Sequence, residues 1–157
     1  MTDPIDALVK LQAALDSRIP LQTQRCNIYP DLVLIADEPT GKLRLTYARI
    51  EKRKVIAVSL FALTDPIEGI PCFQAGNAVI ESMRRKGLGS AILSRGIEEL
   101  CNGFKKQGAK KIYIEGVVSV SNEPSNKIAR RVLSDAPTSI TDAFSGEQAF
   151  QYLKLIE

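Results

Sequence analysis

The sequence predicts a mixed α/β (α+β) fold whose central sheet is mainly antiparallel and contains one strand–helix–strand unit. Short apolar or alternating segments bounded by turn residues recur between residues 31 and 80, as in an antiparallel meander. From about residue 87 to 106 the apolar residues change to helical spacing, and another alternating segment follows at 110–120. The length of 157 residues, without repeats or linkers, predicts a single domain over 1–157.

The first element is predicted to be a helix. Asp3 is a suitable N-cap residue, and Pro4 would take the first helical position, where a backbone N–H is not needed. The apolar residues that follow at near-helical spacing are Ile5, Leu8, Val9 and Leu15.

A β-hairpin is predicted next. The segments DLVLIADE and LRLTYARI flank the turn residues PTGK. The nearly continuous apolar run VIAVSLFAL is typical of a central strand that is buried on both faces. A loop, TDPIEG, is predicted to return the chain into IPCFQAGNAVI. The second hairpin strand has an alternating face of Leu43, Leu45, Tyr47 and Ile50.

The second half of the chain is predicted to form two helices and the remaining strands. The long helix from about Gly87 to Lys106 is expected to end at Gly108, and KKIYIEGVVSV is predicted to be a strand. A short helix capped by Asn or Ser follows in NEPSNKIARRVL. The segments TSITDAF and AFQYLKLIE are consistent with two short strands, or with a strand and a helical turn.

Composition narrows the classes of function. The net charge of +3 is smaller than a dedicated duplex-DNA binder usually carries, and the cations are spread over several elements without interleaved aromatic residues. This pattern favours solvated faces over a nucleic-acid surface. Because the chain has no histidine, histidine-based triads and most zinc-hydrolase schemes are excluded.

The three cysteines predict neither a disulfide framework nor a metal site. Cys26, Cys72 and Cys101 are odd in number, widely spaced and outside any Cys-x-x-Cys arrangement. We therefore expect reduced core thiols in a cytoplasmic protein that needs no metal. The N-terminal segment has acidic residues among its apolar residues, which is unlike a signal peptide. The sequence contains no run of about 18 apolar residues, so no membrane-spanning helix is predicted.

The segment ESMRRKGLGSAIL, residues 81–93, has the clearest functional pattern. Three cations and two glycines precede the long helix, where unpaired N–H groups and the helix dipole favour an anion. Cations in a first helical turn are unfavourable unless an anion compensates them, so the segment predicts a phosphate or pyrophosphate site. A strand-to-helix turn with solvated cations remains the alternative. Ile92 stands where a dinucleotide fingerprint would need glycine, and no P-loop string exists.

This string, RRKGLG at 84–89, resembles the coenzyme-A-binding motif Arg/Gln-x-x-Gly-x-Gly/Ala of GNAT-type N-acyltransferases. Val79 matches the valine that lies five residues before the arginine in that family, and Asn126 with Ala129 matches a later asparagine and alanine. The resemblance covers roughly residues 30–157. It implies an acyl-CoA N-acyltransferase fold and transfer of an acetyl (acyl) group from acetyl-CoA to a primary amine of an unidentified acceptor by direct attack.

The resemblance also implies how acyl-CoA is held. Backbone amides would bind the pyrophosphate, and the main chain of Val79 and Glu81 would pair with the pantetheine arm as an added strand would. A bulge in this strand would separate it from the next parallel strand, and the thioester would lie in that opening near a backbone N–H. The residues assigned to coenzyme A in this way are Val79, Ile80, Glu81, Arg84, Arg85, Lys86, Gly87, Leu88, Gly89, Ser90 and Asn126.

The catalytic groups are not defined by these motifs. Many members of the family have a tyrosine seven residues after the asparagine that protonates the leaving thiolate, but Leu133 stands at that position. Glu81 and Glu115 are candidate bases, and Asn122 is a candidate for orienting the substrate or for capping a helix. A coenzyme-A-binding module without turnover and an acyltransferase for a nucleic-acid-linked substrate such as aminoacyl-tRNA stay as alternatives, and a homodimer is left open.

Overall fold

The computed structural model describes residues 3–157; Met1 and Thr2, which belong to the predicted domain, lie outside the described residues. The elements are α1 (Pro4–Asp16), β1 (Gln24–Arg25), β2 (Leu32–Asp37), β3 (Arg44–Glu51), β4 (Lys54–Ile67), β5 (Ile70–Val79), α2 (Leu88–Lys106), β6 (Ile112–Ser119), α3 (Glu123–Val132), β7 (Thr138–Thr141) and β8 (Gln148–Ile156). The described strands form one sheet in the order β1-β2-β3-β4-β5-β6-β8-β7, in which the β5/β6 pair alone is parallel. The predicted fold class is confirmed.

β4 is longer than the sequence predicts. The predicted loop TDPIEG is wrong, because β4 continues through Pro66 to Ile67 and pairs with β5. The register of this pair is irregular between Thr64 and Ile67, which accommodates a proline that cannot donate to the strand ladder. The turn is therefore reduced to Glu68 and Gly69, both of which have positive φ angles.

The predicted alternating face of β3 holds for its first residues and fails at its end. Leu45 and Tyr47 belong to the larger hydrophobic core, but Ile50 packs into a smaller cluster on the opposite face of the sheet. Ile50 has the other parity, and successive side chains of a strand point to opposite faces. The tail forms two antiparallel strands, the first of the two alternatives.

α1 covers β4 and β5 on one face of the sheet. The Asp3 carboxylate accepts a 2.9 Å hydrogen bond from the Ile5 backbone N–H, and Pro4 is the first helical residue, as predicted. Ile5 and Val9 are 51% and 57% exposed, so the side of α1 that carries them is only partly covered by the rest of the described chain. The residues of α1 that pack on the sheet are Leu8, Leu11 and Leu15.

α2 and α3 cover the opposite face. Phe73 and Ala75 of β5 pack in the core beneath α2, whereas Ala78, of the other parity, packs in the cluster beneath α1. Gly96 lets α2 approach β4 closely, because a Cβ atom there would overlap the Ser59 hydroxyl and lie 2.9 Å from Phe61 Cε2.

A buried carboxylate holds the connection between α1 and β2 against α2. Glu99, which is 6% exposed, accepts hydrogen bonds from the backbone N–H groups of Asn27 (3.1 Å), Ile28 and Tyr29 (2.8 Å). Burying a charge is costly unless such bonds replace its water. One side chain of α2 therefore determines the path of a segment 70 residues away in sequence.

Candidate functional site

β5 and β6 separate at one end of the sheet. Their pairing covers only Cys72–Gln74 and Tyr113–Glu115. Beyond these residues, Ala75–Val79 stays paired with β4 and Gly116–Ser119 stays paired with β8. The two facing strand edges are not paired with each other, so their N–H and C=O groups can bind an inserted extended chain.

The separation does not come from the bulge that the resemblance implies. β5 keeps a continuous register with β4 from Cys72 to Val79, and β6 keeps one with β8 from Ile112 to Ser119. Where the β5/β6 pairing ends, β5 stays beside β4 and β6 stays beside β8, each in an unbroken antiparallel register. The bulge expected in β5 is therefore absent from its pairing with β4 between Cys72 and Val79.

The opening between the two strands passes through the sheet. It forms a cleft of about 260 Å³ lined from both faces. On one face the lining comes from α2 and α3, and on the other from the start of α1. The lining residues that matter below are Asp3, Ile5, Asn77, Gly116, Asn122 and Leu133.

The start of α2 adjoins this opening, because Gly89 packs against Asn77 and Ile128, which line it. This helix start has no side-chain cap. Its N-cap residue, Gly87, has a φ of +77°, and no hydrogen bond from a side chain reaches the first turn. The other two helices are capped, α1 by Asp3 and α3 by Asn122. The first turn of α2 also lacks an acidic residue. Its free N–H groups and the positive end of the dipole therefore suit an anion.

The cations before α2 are not neutralised within the described chain. No carboxylate of residues 3–157 forms an ion pair with Arg84, Arg85 or Lys86. The Arg84 Nε group donates a 3.0 Å hydrogen bond to the Val79 carbonyl oxygen, which ties the loop to the end of β5. Arg85 has a φ of +64°, an uncommon conformation for a residue with a side chain.

The two glycines of the motif differ in what they do. A Cβ atom on Gly87 would meet nothing within 4 Å, so this glycine is required by its left-handed backbone. A Cβ atom on Gly89 would lie 2.8 Å from Ile128 Cδ1 and 3.1 Å from Asn77 Nδ2. Gly89 therefore also allows α2 to pack against α3 and β5, independently of any phosphate.

Glu81 does not continue the strand. It begins a 3₁₀ turn, Glu81–Met83, and is exposed. The extended backbone ends at Ile80, whose N–H donates a 3.0 Å bond to the Ile56 carbonyl oxygen of β4. The expected strand-like pairing of the Glu81 main chain with the pantetheine arm does not fit this conformation. Any such pairing would have to involve residues of β5 that precede Ile80.

Glu115 is held away from the cleft. Its carboxylate accepts a 2.6 Å hydrogen bond from the Gln151 amide and is not among the groups that line the opening. Burial raises the pKa of the neighbouring Cys72 thiol, and the negative charge of Glu115 adds to this shift. Asn122 does line the cleft, but its side chain accepts a 3.2 Å bond from the Ser125 N–H as the cap of α3.

Asn126 is buried, and both ends of its side-chain amide form hydrogen bonds within the protein. Its amide group donates to the carbonyl oxygens of Ser119 (2.9 Å) and Asn122 (2.8 Å), and its oxygen accepts a 2.6 Å bond from the Tyr152 hydroxyl. These bonds attach α3 to the end of β6 and to β8. The resemblance implies a direct contact between Asn126 and pantetheine, and such a contact would have to form in addition to these three hydrogen bonds.

Leu133 forms an apolar wall of the opening. It is 8% exposed and packs so closely on β6 that a Cβ atom on Gly116 would lie 2.7 Å from Leu133 Cδ1. Leu133, which stands where many family members have the tyrosine, thus faces the opening but cannot donate a proton.

Two features of the site have no local signal in the sequence. Asp3 lines the opening, although its sequence context indicates only a helix cap. A second cleft, of about 440 Å³, lies between α2, the end of α3 and β8, and its polar lining is Ser90, Ser94, Glu98, Arg131 and Lys154. Both features depend on which strands become neighbours, which no local pattern encodes.

Comparison with solved structures identifies the fold. No protein-family profile matches the sequence, and no curated protein matches it. An acetyltransferase from Salmonella typhimurium that modifies the N-terminal serine of a 50S ribosomal subunit protein is 21% identical, with a TM-score of 0.51 over 74% of this chain and 66% of its own. A ribosomal-protein-S5-alanine acetyltransferase from Vibrio fischeri is 14% identical, with a TM-score of 0.52 over 72% and 61%.

A third structure matches over nearly the whole length of both chains. It is an acetyltransferase of the GNAT family from Streptococcus pneumoniae, 14% identical, with a TM-score of 0.54 over 99% of this chain and 96% of its own. This protein therefore has the fold of the GNAT acetyltransferases, and the resemblance seen in the sequence is confirmed at the level of the fold. The chain spans less than two thirds of the length of the Salmonella and Vibrio proteins. Within residues 3–157, none of the helices is long and apolar enough to cross a membrane.

Proposed function

We propose that this protein is an N-acyltransferase that transfers an acetyl group, or a related acyl group, from acetyl-CoA to a primary amine. The observation that carries the proposal is that the uncapped, positively charged start of α2 adjoins the opening between β5 and β6: Gly89 packs against Asn77 and Ile128, which line that opening. Coenzyme A has an extended, amide-bearing arm that ends in a thiol and is attached to a pyrophosphate. The strand edges suit the arm, and the helix start suits the pyrophosphate.

The donor would be held mainly by backbone groups. The N–H groups from Arg85 to Ser90 would bind the pyrophosphate, with the Arg85 and Lys86 side chains adding charge. The arm would extend along β5 between Ala75 and Ile80. The second cleft, between α2, the end of α3 and β8, adjoins the helix start at Ser90. Its lining contains Arg131 and Lys154 together with Glu98, so two cations outnumber one carboxylate, which suits the phosphorylated nucleoside end of the same molecule.

The chemical step needs few side chains. The amine nitrogen attacks the thioester carbonyl carbon, the C–N bond forms, the C–S bond breaks, and the electron pair leaves on sulfur. An ammonium acceptor gives up two protons in total, one of which ends on the sulfur and the other in solvent. Because Leu133 cannot donate a proton, water protonates the thiolate, and the protein contributes orientation and backbone polarisation of the carbonyl.

Thermal unfolding with acetyl-CoA tests donor binding. Acetyl-CoA is expected to raise the Tm of the wild type, because a ligand that binds the folded state stabilises it. The Gly87→Glu variant should lose this shift. Gly69→Glu is the matched control, since Gly69 has a φ of +80°, equally open surroundings and a position at the opposite end of β5. A wild type without any shift at millimolar acetyl-CoA would refute the proposal.

A second candidate function is a coenzyme-A-binding module that does not turn over. Leu133 favours it, because the wall where the family has its proton donor is apolar. Release of free coenzyme A thiol in the presence of a primary amine distinguishes the two candidates. Catalytic release that depends on the amine eliminates the binding module, whereas a Tm shift without any release eliminates the acyltransferase.

A further inference from the structure

Asp3 is the one ionisable side chain among the described residues that line the opening. The other lining residues are apolar or uncharged, including Gly76, Asn77, Val117 and Ser119. Its carboxylate caps α1 through the Ile5 N–H at 2.9 Å, and the residue is exposed to solvent. The cleft therefore has a single fixed negative charge, at its rim.

This charge lies on the face of the sheet opposite to α2 and the loop 84–89 that precedes it. α1 packs with Ala78, and α2 packs with Phe73 and Ala75, so the two helices cover opposite faces of β5. The start of α1 and the start of α2 thus reach the opening from opposite sides. A cation at Asp3 and an anion at the α2 start would each meet a charge of the opposite sign.

Apolar surface continues from Asp3 along the same helix. Ile5 lines the opening and is 51% exposed, and Val9, one helical turn further, is 57% exposed. Exposed apolar side chains beside a cleft favour a ligand that covers them. The surface beside the opening thus combines one carboxylate with an apolar strip.

We infer that Asp3 positions the acceptor by pairing with its ammonium group, and that the acceptor is a primary amine attached to an apolar group that lies against Ile5. This inference rests on the proposed N-acyltransferase function and adds the chemical class of the acceptor. Asp3 is a positioning residue here, because the amine must lose a proton before it attacks the thioester.

Phenethylamine and 2-phenylethanol, which share an aromatic group but differ in charge, are suitable probes. Their binding to the protein saturated with coenzyme A can be measured by calorimetry. The wild type is expected to bind the amine at least about tenfold more tightly than the alcohol, and Asp3→Asn should remove this preference. Ile5→Ser should weaken both probes. Equal affinity of the wild type for the two probes would overturn the inference.

The variant Asp3→Asn separates the charge from the helix cap, since asparagine caps helices as well as aspartate does. Its Tm and its affinity for coenzyme A should equal those of the wild type, while KM for phenethylamine in acetylation rises and kcat changes less than twofold. Asp6→Asn, in the first turn of α1 and outside the opening, is the matched control and should behave as the wild type. The same change in both variants would overturn the inference. Failure of the wild type to bind coenzyme A would instead refute the proposed N-acyltransferase function, on which the inference rests.

Discussion

The Tyr152 hydroxyl donates a 2.6 Å hydrogen bond to the side-chain oxygen of Asn126, and both residues are buried. Asn126 in turn donates to the carbonyl oxygens of Ser119 and Asn122, which lie at the end of β6 and before α3. β8, β6 and α3 are thus joined through one amide group. Because Ser119 and Asn122 line the opening, this network determines the position of one wall.

Tyr152→Phe is expected to lower the free energy of unfolding by about 1–3 kcal/mol, because the Asn126 oxygen would be buried without a partner. Urea unfolding measures this change. Tyr113→Phe on β6 is the control, since the Tyr113 hydroxyl has no hydrogen-bond partner among residues 3–157, and its effect should stay within about 0.5 kcal/mol. Equal effects of the two variants would show that the buried bond contributes nothing.

Gly96→Ala is expected to destabilise the protein by about 1–3 kcal/mol, because the added methyl group would overlap the Ser59 hydroxyl beneath α2. Gly103→Ala, in the same helix with nothing within 4 Å of the new atom, should instead stabilise it by about 0.5–1 kcal/mol. Thermal unfolding of both variants checks the signs. Opposite signs are the expected outcome, and stabilisation by Gly96→Ala would contradict the packing described here.

Glu99→Ala should lower the free energy of unfolding by about 1–3 kcal/mol, since three partly buried backbone N–H groups would lose their carboxylate acceptor. Hydrogen exchange gives the sharper measurement: the amides of Asn27, Ile28 and Tyr29 should lose protection first. Glu98→Ala removes only the exposed bond to the Tyr29 hydroxyl and should leave the amide protection intact. Unchanged protection in Glu99→Ala would disprove the role of this carboxylate.

Stability should fall at alkaline pH. Burial raises the pKa of the Cys26 thiol from 9.0 to about 11, and the charges of Glu99 and Asp31 add to this shift; burial also raises the pKa of Tyr47. The unfolded chain therefore loses these protons at lower pH than the folded protein, so the free energy of unfolding is unaffected below about pH 9 and decreases between about pH 9 and 11. Melting temperatures measured across this range should decrease less steeply for Cys26→Ala, and an identical slope would argue against the shift.

The elements that depend on neighbours in sequence were predicted well. The start of α1 follows from Asp3 and Pro4, and the extent of α2 follows from apolar spacing. The end of β4 was wrong, because its extension past Thr64 depends on pairing with β5, which overrides the proline. Strand pairing is a tertiary interaction, so local turn residues do not determine it.

The candidate site likewise has one part that local sequence predicts and another that depends on tertiary contacts. The loop 84–89 could be recognised because a glycine-bearing helix start with cations is an arrangement of consecutive residues. Glu115 was a candidate base from its place in a strand, but its carboxylate is bonded to Gln151 of a neighbouring strand and lies outside the cleft. The clustering of Asp3 with Gly116 and Leu133 requires the order of strands across the sheet.

The fold class, the helix start suited to a phosphate, and the lack of a tyrosine at residue 133 could be predicted because they are properties of residue type and local spacing. Three other features are visible only in the folded chain: β5 and β6 separate after Gln74, Asn126 is bonded to Tyr152, and Asp3 lies at the rim of the opening. Each of these features depends on the pairing and register of strands far apart in sequence, which are determined by the packing of both faces of the sheet together.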